Sequence, residues 1–352
     1  MSAGDYDYLN ARVRGMASEL LPAETYDQIL AAEGETLLVD ALLGSPYAPQ
    51  LREALTVRKG LAAMESALRR NLYDTFAKVL AMAPPRPRGL LAVQMNLWDA
   101  ANVITLIRGK VKAVPPEEIV AGLMPVGEFS EPQLTELAAA PDLISLADAL
   151  TTWGYRFAFE VRRAVLDSGA GADLVGLESA VGRLYFAWAQ YELARGDSNA
   201  ATVKKLLDMQ IDLANIGSAL DCVRHRMRGE EIDSYAPVPG GLLSLRLLNE
   251  IAECAALVDA FEVLDDTYFA PGIENGILAF GRAQSLGVME RFLEVVVIDK
   301  GCHLFRQDPL GIAVPLGFLW RKYSEFVNLR ILLRGKSYRM PPNAIRKEML
   351  IA

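Results

Sequence analysis

From Glu325 the apolar and polar positions fall in a helical rhythm. Glu325, Asn328, Leu329, Leu332 and Leu333 lie at i, i+3, i+4, i+7 and i+8, one face of an α-helix. The same face recurs at Asp99, Asn102, Val103, Leu106 and Ile107, and again at Asp212, Asn215, Ile216, Ala219 and Leu220. Each copy starts 113 residues after the last. A fixed period is the mark of a repeat architecture, and it orders everything else in the chain.

Other landmarks keep nearly the same step. Leu38-Val39-Asp40-Ala41-Leu42 precedes Tyr47, Leu146-Ala147-Asp148-Ala149-Leu150 precedes Tyr155, and Leu257-Val258-Asp259-Ala260-Phe261 precedes Tyr268. Further on, Met64-Glu65-Ser66-Ala67-Leu68 matches Leu177-Glu178-Ser179-Ala180-Val181 and Met289-Glu290-Arg291-Phe292-Leu293. Apolar residues at three and four around these landmarks predict long helices. Breaks fall at Ala83-Pro84-Pro85-Arg86-Pro87, at Asp308-Pro309-Leu310, and at Arg195-Gly196-Asp197-Ser198-Asn199, a glycine with an N-cap cluster.

The last helix of the first and third copies stops alike. Arg108 and Arg334 sit in the final turn, where a cation suits the helix dipole. Gly109 and Gly335 are expected at the left-handed position just past it. Pro115-Pro116 and Pro341-Pro342 open the next helix, and Ile119, Ile232 and Ile345 keep the register. The middle copy has Asp221-Cys222-Val223 in place of Arg-Gly-Lys, with bases at Arg224, Arg226 and Arg228.

No segment alternates long enough to make a sheet, and Val295-Val296-Val297-Ile298 lies inside a helical pattern. The expected fold is all-α: three tandem homologous helical bundles, residues 1–120, 121–235 and 236–352. Such units close around an approximate threefold axis or stack openly, and periodicity does not choose.

At 352 residues, 52% hydrophobic and 23% charged, the composition is that of a globular protein. No apolar run approaches the roughly 20 residues of a membrane helix, and the N-terminus has no apolar signal-peptide core. A cytoplasmic protein that inserts nothing into a bilayer is expected. Three cysteines suit a reducing compartment. A net charge of −8 argues against nucleic acid as a partner. The charge is uneven. Glu250 to Gly281 carries seven acids and no base, and Arg321 to Lys347 carries eight bases around the single acid Glu325. Solvated faces are the ordinary reading; an electropositive docking patch near anionic headgroups is the sharper one.

Chemistry is thin. Gly335-Lys336-Ser337 resembles the end of a phosphate loop, but position 330 is Arg where a glycine is needed. Cys222 with His225, and Cys302 with His303, lack zinc-finger spacing. Two histidines leave little room for a His-based hydrolase. Asp265-Asp266-Thr267-Tyr268-Phe269 resembles an incomplete magnesium motif of all-α diphosphate enzymes and falls in a turn. The acid and Asn of each repeated face are best read as satisfying backbone groups of packed neighbours. No catalytic, cofactor-binding or metal residue is assigned.

Asp308 to Pro341 (DPLGIAVPLGFLWRKYSEFVNLRILLRGKSYRMP) resembles the C-terminal signature of the C subunit of V/A-type (vacuolar/archaeal-type) ATPases, the family that includes the d subunit of V-ATPases. Tyr6 to Arg14 (YDYLNARVR) is similar to that family's N-terminus. The resemblance implies a funnel-shaped, three-domain, non-catalytic rotor component on the cytoplasmic face. It implies partners in the central-stalk subunits D and F and in the membrane proteolipid ring, with no nucleotide and no cofactor. The alternatives are a helical-repeat scaffold, expected to be an open solenoid, and an all-α magnesium-dependent diphosphate enzyme.

Overall fold

The computed structural model describes residues 4–31, 35–168, 173–227 and 236–350. Among them the chain forms eighteen α-helices, one 3-10 turn and no strand. Arg228 and Ile232 lie outside the described residues.

Helix α1 (Gly4–Ala17) precedes the repeated pattern. The first pass contains α2 (Ala23–Ala31), α3 (Glu35–Leu43), α4 (Ala48–Val57), α5 (Gly60–Met82), α6 (Pro85–Val111) and α7 (Pro116–Gly122). The second contains α8 (Glu131–Ala139), α9 (Leu143–Thr152), α10 (Ala158–Ser168), α11 (Leu174–Leu193) and α12 (Ser198–His225). The third contains α13 (Leu245–Glu253), α14 (Leu257–Asp265), α15 (Ala270–Ala283), α16 (Leu286–His303), the 3-10 turn Leu304–Arg306, α17 (Ala313–Ser337) and α18 (Pro342–Glu348).

The long helices α6, α12 and α17 start well before the acid–Asn face, which therefore sits in mid-helix. Each is buried on most sides. Leu90, Leu91, Val103, Leu106 and Ile107 of α6, and Phe318, Phe326, Leu329 and Leu332 of α17, are all closed off from solvent. Helix α6 is long and apolar enough to cross a membrane by length and composition, but here it is a core helix packed on α11 and α12. The breaks behave as their residues dictate. Asp197 caps α12 by accepting the Ala200 N–H, and Pro85, Pro116 and Pro342 occupy first helical positions, where no amide proton is needed.

Gly109 and Gly335 do not end their helices. Both lie inside them, and the left-handed residues come later, at Ala113 (φ 51°), Arg226 (φ 54°) and Arg339 (φ 57°), still 113 apart. Each closes a Schellman motif: Val114 N–H donates to Gly109 C=O, Met227 N–H to Cys222 C=O and Met340 N–H to Gly335 C=O. The middle copy, divergent in sequence, thus keeps the same stop. The glycines serve close approach instead. A Cβ on Gly109 would lie 2.5 Å from Ile119, and one on Gly335 2.6 Å from Ile345.

The packing is cyclic. Helix α6 packs on α11 of the next copy, α12 packs on α16, and α17 returns to pack on α5 of the first. Trp98 of α6 meets Trp320 and Tyr323 of α17 at centroid distances of 5.5 and 5.4 Å, and Phe76 of α5 closes the cluster. Such pairs contribute about 0.5–1.5 kcal/mol each beyond their buried area. Helix α1 adds a strap: Asn10 donates to Gly311 C=O at 3.1 Å, tying the N-terminal helix to the approach of α17.

Candidate functional site

The repeated acid and Asn of each long helix hold the segment that leads into the next copy. In the first junction Asn102 brackets Met124, donating to its C=O at 2.7 Å and accepting its N–H at 2.8 Å. Asp99, one helical turn earlier, accepts the Glu128 N–H at 2.6 Å. In the second, Asn215 brackets Val238 in the same way, and Asp212 accepts the N–H groups of Leu242 and Leu243. In the third, Asn328 accepts the Leu350 N–H at 2.7 Å, and Glu325 accepts the Leu21 N–H at 2.5 Å. Leu21 belongs to the start of the chain, so the last copy grips the first as each earlier copy grips its successor.

The Tyr of the early signature bonds the acid at two of the three junctions. Tyr268 donates to Asp212 at 2.7 Å, and Tyr47 donates to Glu325 at 2.6 Å. Tyr155 lies near Asp99, whose charge adds to burial in pushing the phenol up. These tyrosines stand out as landmarks in the sequence. The pairing of Tyr47 and Tyr268 with an acid of the preceding copy does not, because the partners are far apart along the chain. Counterions differ among the junctions. Glu325 faces Lys322 at 2.7 Å, and burial pushes that ammonium down while Glu325 pushes it up. Asp212 has its hydroxyl and two amides, and burial still raises its carboxyl.

No cation pairs with Asp99 among the described residues, and burial pushes its carboxyl up to about 7. A carboxyl whose folded pKa lies above its unfolded value is charged at a cost. That cost is absent below about pH 4 and full above about pH 7, so stability falls as pH rises through this window. Lowering the pH from 7.5 to 5.5 is expected to add about 2 kcal/mol from this group alone. Asp99→Asn removes that contribution, which urea unfolding of both proteins at the two pH values measures.

Glycine lets the connecting segments approach. A Cβ on Gly127 would fall 2.1 Å from the Asp99 carboxylate, and one on Gly241 2.2 Å from that of Asp212. At the third junction the acid is Glu, one methylene longer, and Leu20 precedes the gripped Leu21. Basic side chains reinforce two junctions. Arg108 pairs with Glu178 at 2.7 Å and Arg334 with Glu65, while Lys110 and Lys336 donate to the C=O groups of Ala138 and Leu30 near the ends of α8 and α2.

Much of the C-terminal basic run is therefore engaged within the molecule. Lys322 (through Tyr47), Arg334 and Lys336 bridge copies, and Arg346 pairs with Asp27. Arg321 and Arg330 lie over the rings of Phe305 and Phe326. As a docking patch the run is weaker than its sequence suggests. Cys222 is buried on α12, Cys302 lies on α16, and Asp265 and Asp266 end α14. Among the described residues no group of three or more His, Cys, Asp or Glu is placed to hold a metal.

A closed series of helical copies, each gripping the next through a buried acid and, at two junctions, an Asn, defines a helical repeat protein. The chain belongs to the ATP synthase (C/AC39) subunit family, whose model matches residues 9–348. It is 29% identical over 347 residues to the C subunit of the V-type ATP synthase of Deinococcus radiodurans, covering 98% of this chain and 91% of the relative. It is 23% identical to the C subunit of the A-type ATP synthase of Methanocaldococcus jannaschii (98% and 86%) and 26% identical to that of Haloferax volcanii (98% and 97%).

Proposed function

We propose that this chain is the non-catalytic rotor coupler of a V/A-type ATP synthase. In this reading it joins the central stalk, subunits D and F, to the membrane proteolipid ring on the cytoplasmic face. It is peripheral to the membrane and held there through that ring. Three bundles, residues 1–120, 121–235 and 236–352, form a funnel about a pseudo-threefold axis; the mouth receives the stalk and the base seats on the ring. The observation that carries the reading is the cyclic set of junctions. A part that transmits torque must not open under load, and a closed ring of densely packed helices deforms little. Family membership supports the assembly.

Co-expression with the stalk subunits and the proteolipid ring tests it. The chain is expected to co-purify with both, and its omission is expected to leave ATP hydrolysis running without ion transport. Binding to neither partner overturns the reading.

A further inference from the structure

Two of the three junctions are filled by the chain itself. Between the bracketed and the gripped residue runs a Pro-x-Gly segment, Pro125-Val126-Gly127 in the first and Pro239-Gly240-Gly241 in the second. In the second junction that segment lies on four residues. Gln190 donates to Pro239 C=O, Asn215 donates to Val238 C=O, and Cβ atoms on Gly240 and Gly241 would collide with Gln190 and Asp212. The Cβ on Gly241 would also lie 3.5 Å from Asp208 C=O.

Steps of 113 residues carry these four to His303, Arg321, Glu325 and Asn328. There no segment joins the two roles, because Leu350 and Leu21 come from opposite ends of the sequence. Instead the same four residues line a cavity of about 350 Å³ between α2, the end of α16, and α17. That size is within the roughly 300–1,000 Å³ of ordinary ligand pockets.

The cavity keeps the donor and gains charge. Asn328 is buried and still accepts the Leu350 N–H. Among the described residues no carbonyl accepts from its Nδ2, the atom that in the other copies donates to Met124 and Val238. Gln190 and Asp208 are replaced by His303 and Arg321. His303 lies 3.2 Å from Asp299, but Arg321, over the Phe305 ring, and Arg306 pair with no carboxylate among the described residues. Glu325 adds no free charge, because Lys322 is its counterion. Leu20, Leu30 and Met349 supply apolar wall.

We propose that this cavity binds the carboxyl-terminal end of a second polypeptide. The peptide lies as Pro239-Gly240-Gly241 lies in the second junction. One of its backbone carbonyls accepts from Asn328 Nδ2, and its terminal carboxylate pairs with Arg321. The filled junctions supply the shape, and the exchange of Asp208 for Arg321 supplies the preference for a free carboxylate. The site stands whether or not the chain couples a rotor.

The probe is fluorescein-labelled Ala-Pro-Val-Pro-Gly, copied from residues 236–240, once with a free carboxylate and once as the carboxamide. Anisotropy on the full chain is expected to give a Kd below about 1 mM for the acid and at least about tenfold weaker binding for the amide, the scale of one charge-assisted hydrogen bond. Arg321→Gln is expected to bind both peptides as wild type binds the amide, with its melting point within about 2 °C of wild type. A merely structural Arg321 would weaken both peptides alike. No binding of either peptide, equal binding of acid and amide, or an acid preference that survives Arg321→Gln overturns the proposal. So does acid binding seen only when Ile351 and Ala352 are removed, which would make this chain's own last residues the occupant. Decanoate that displaces the acid peptide with a lower Kd than the peptide's own would assign the cavity to a fatty acid instead.

Discussion

Glu325→Ala is expected to destabilise the protein by about 3–5 kcal/mol, the cost of breaking a buried ion pair from one side. Three groups lose their acceptor together. The Lys322 ammonium is left buried, the Tyr47 hydroxyl loses its 2.6 Å bond, and the Leu21 amide is stranded. Lys322→Met should cost a similar amount, because it leaves the carboxylate buried beside a hydroxyl and an amide. The two losses should not add. Once either charge is gone the other is already uncompensated, so the double replacement should cost well under the sum. Urea unfolding of the four proteins measures both the cost and the coupling. A loss under about 1 kcal/mol for Glu325→Ala would place this junction at the surface in solution.

Gly241→Ala is the second large effect, expected at about 3 kcal/mol or more, the sum of backbone strain and a stranded donor. Gly241 sits at φ +92°, where an L side chain is strained by about 1–3 kcal/mol. Its new methyl would also lie 2.2 Å from Asp212 Oδ1. The carboxylate must move, and the Leu242 and Leu243 amides lose their acceptor, which adds about 1–3 kcal/mol for a stranded buried donor. Gly182→Ala is the matched contrast. It lies within helix α11, a Cβ there meets nothing within 4 Å, and removing a helical glycine should stabilise by up to about 1 kcal/mol. Thermal unfolding of the pair should move in opposite directions.

The period of 113 carried most of the fold, because helical faces and stop signals repeat whether or not their partners are known. It also pointed to the right residues at the junctions. Asp99, Asp212 and Glu325 with their Asn partners stood out on one face, and reading them as acceptors for neighbouring backbone agrees with the bonds they make. What they hold was not legible. Leu21 lies 304 residues from Glu325, and no local pattern links the two. The glycines of the helix stops misled for a related reason. Gly favours left-handed backbone, but here it makes room for Ile119 and Ile345, and Ala113 and Arg339 take the strained angle. The partners of the basic run were not legible either, since charge counted along the chain does not reveal the acids and carbonyls that meet it in space.

A double-mutant cycle between Tyr47 and Glu325 tests the closed ring most directly, because the two are 278 residues apart and touch only if the last copy grips the first. Tyr47→Phe, Glu325→Gln and the double variant, unfolded in urea, should show a coupling of at least about 1 kcal/mol within a single cooperative transition. Strict additivity, to within about 0.5 kcal/mol, would mean that the chain's two ends part in solution and that the copies stand as an open stack.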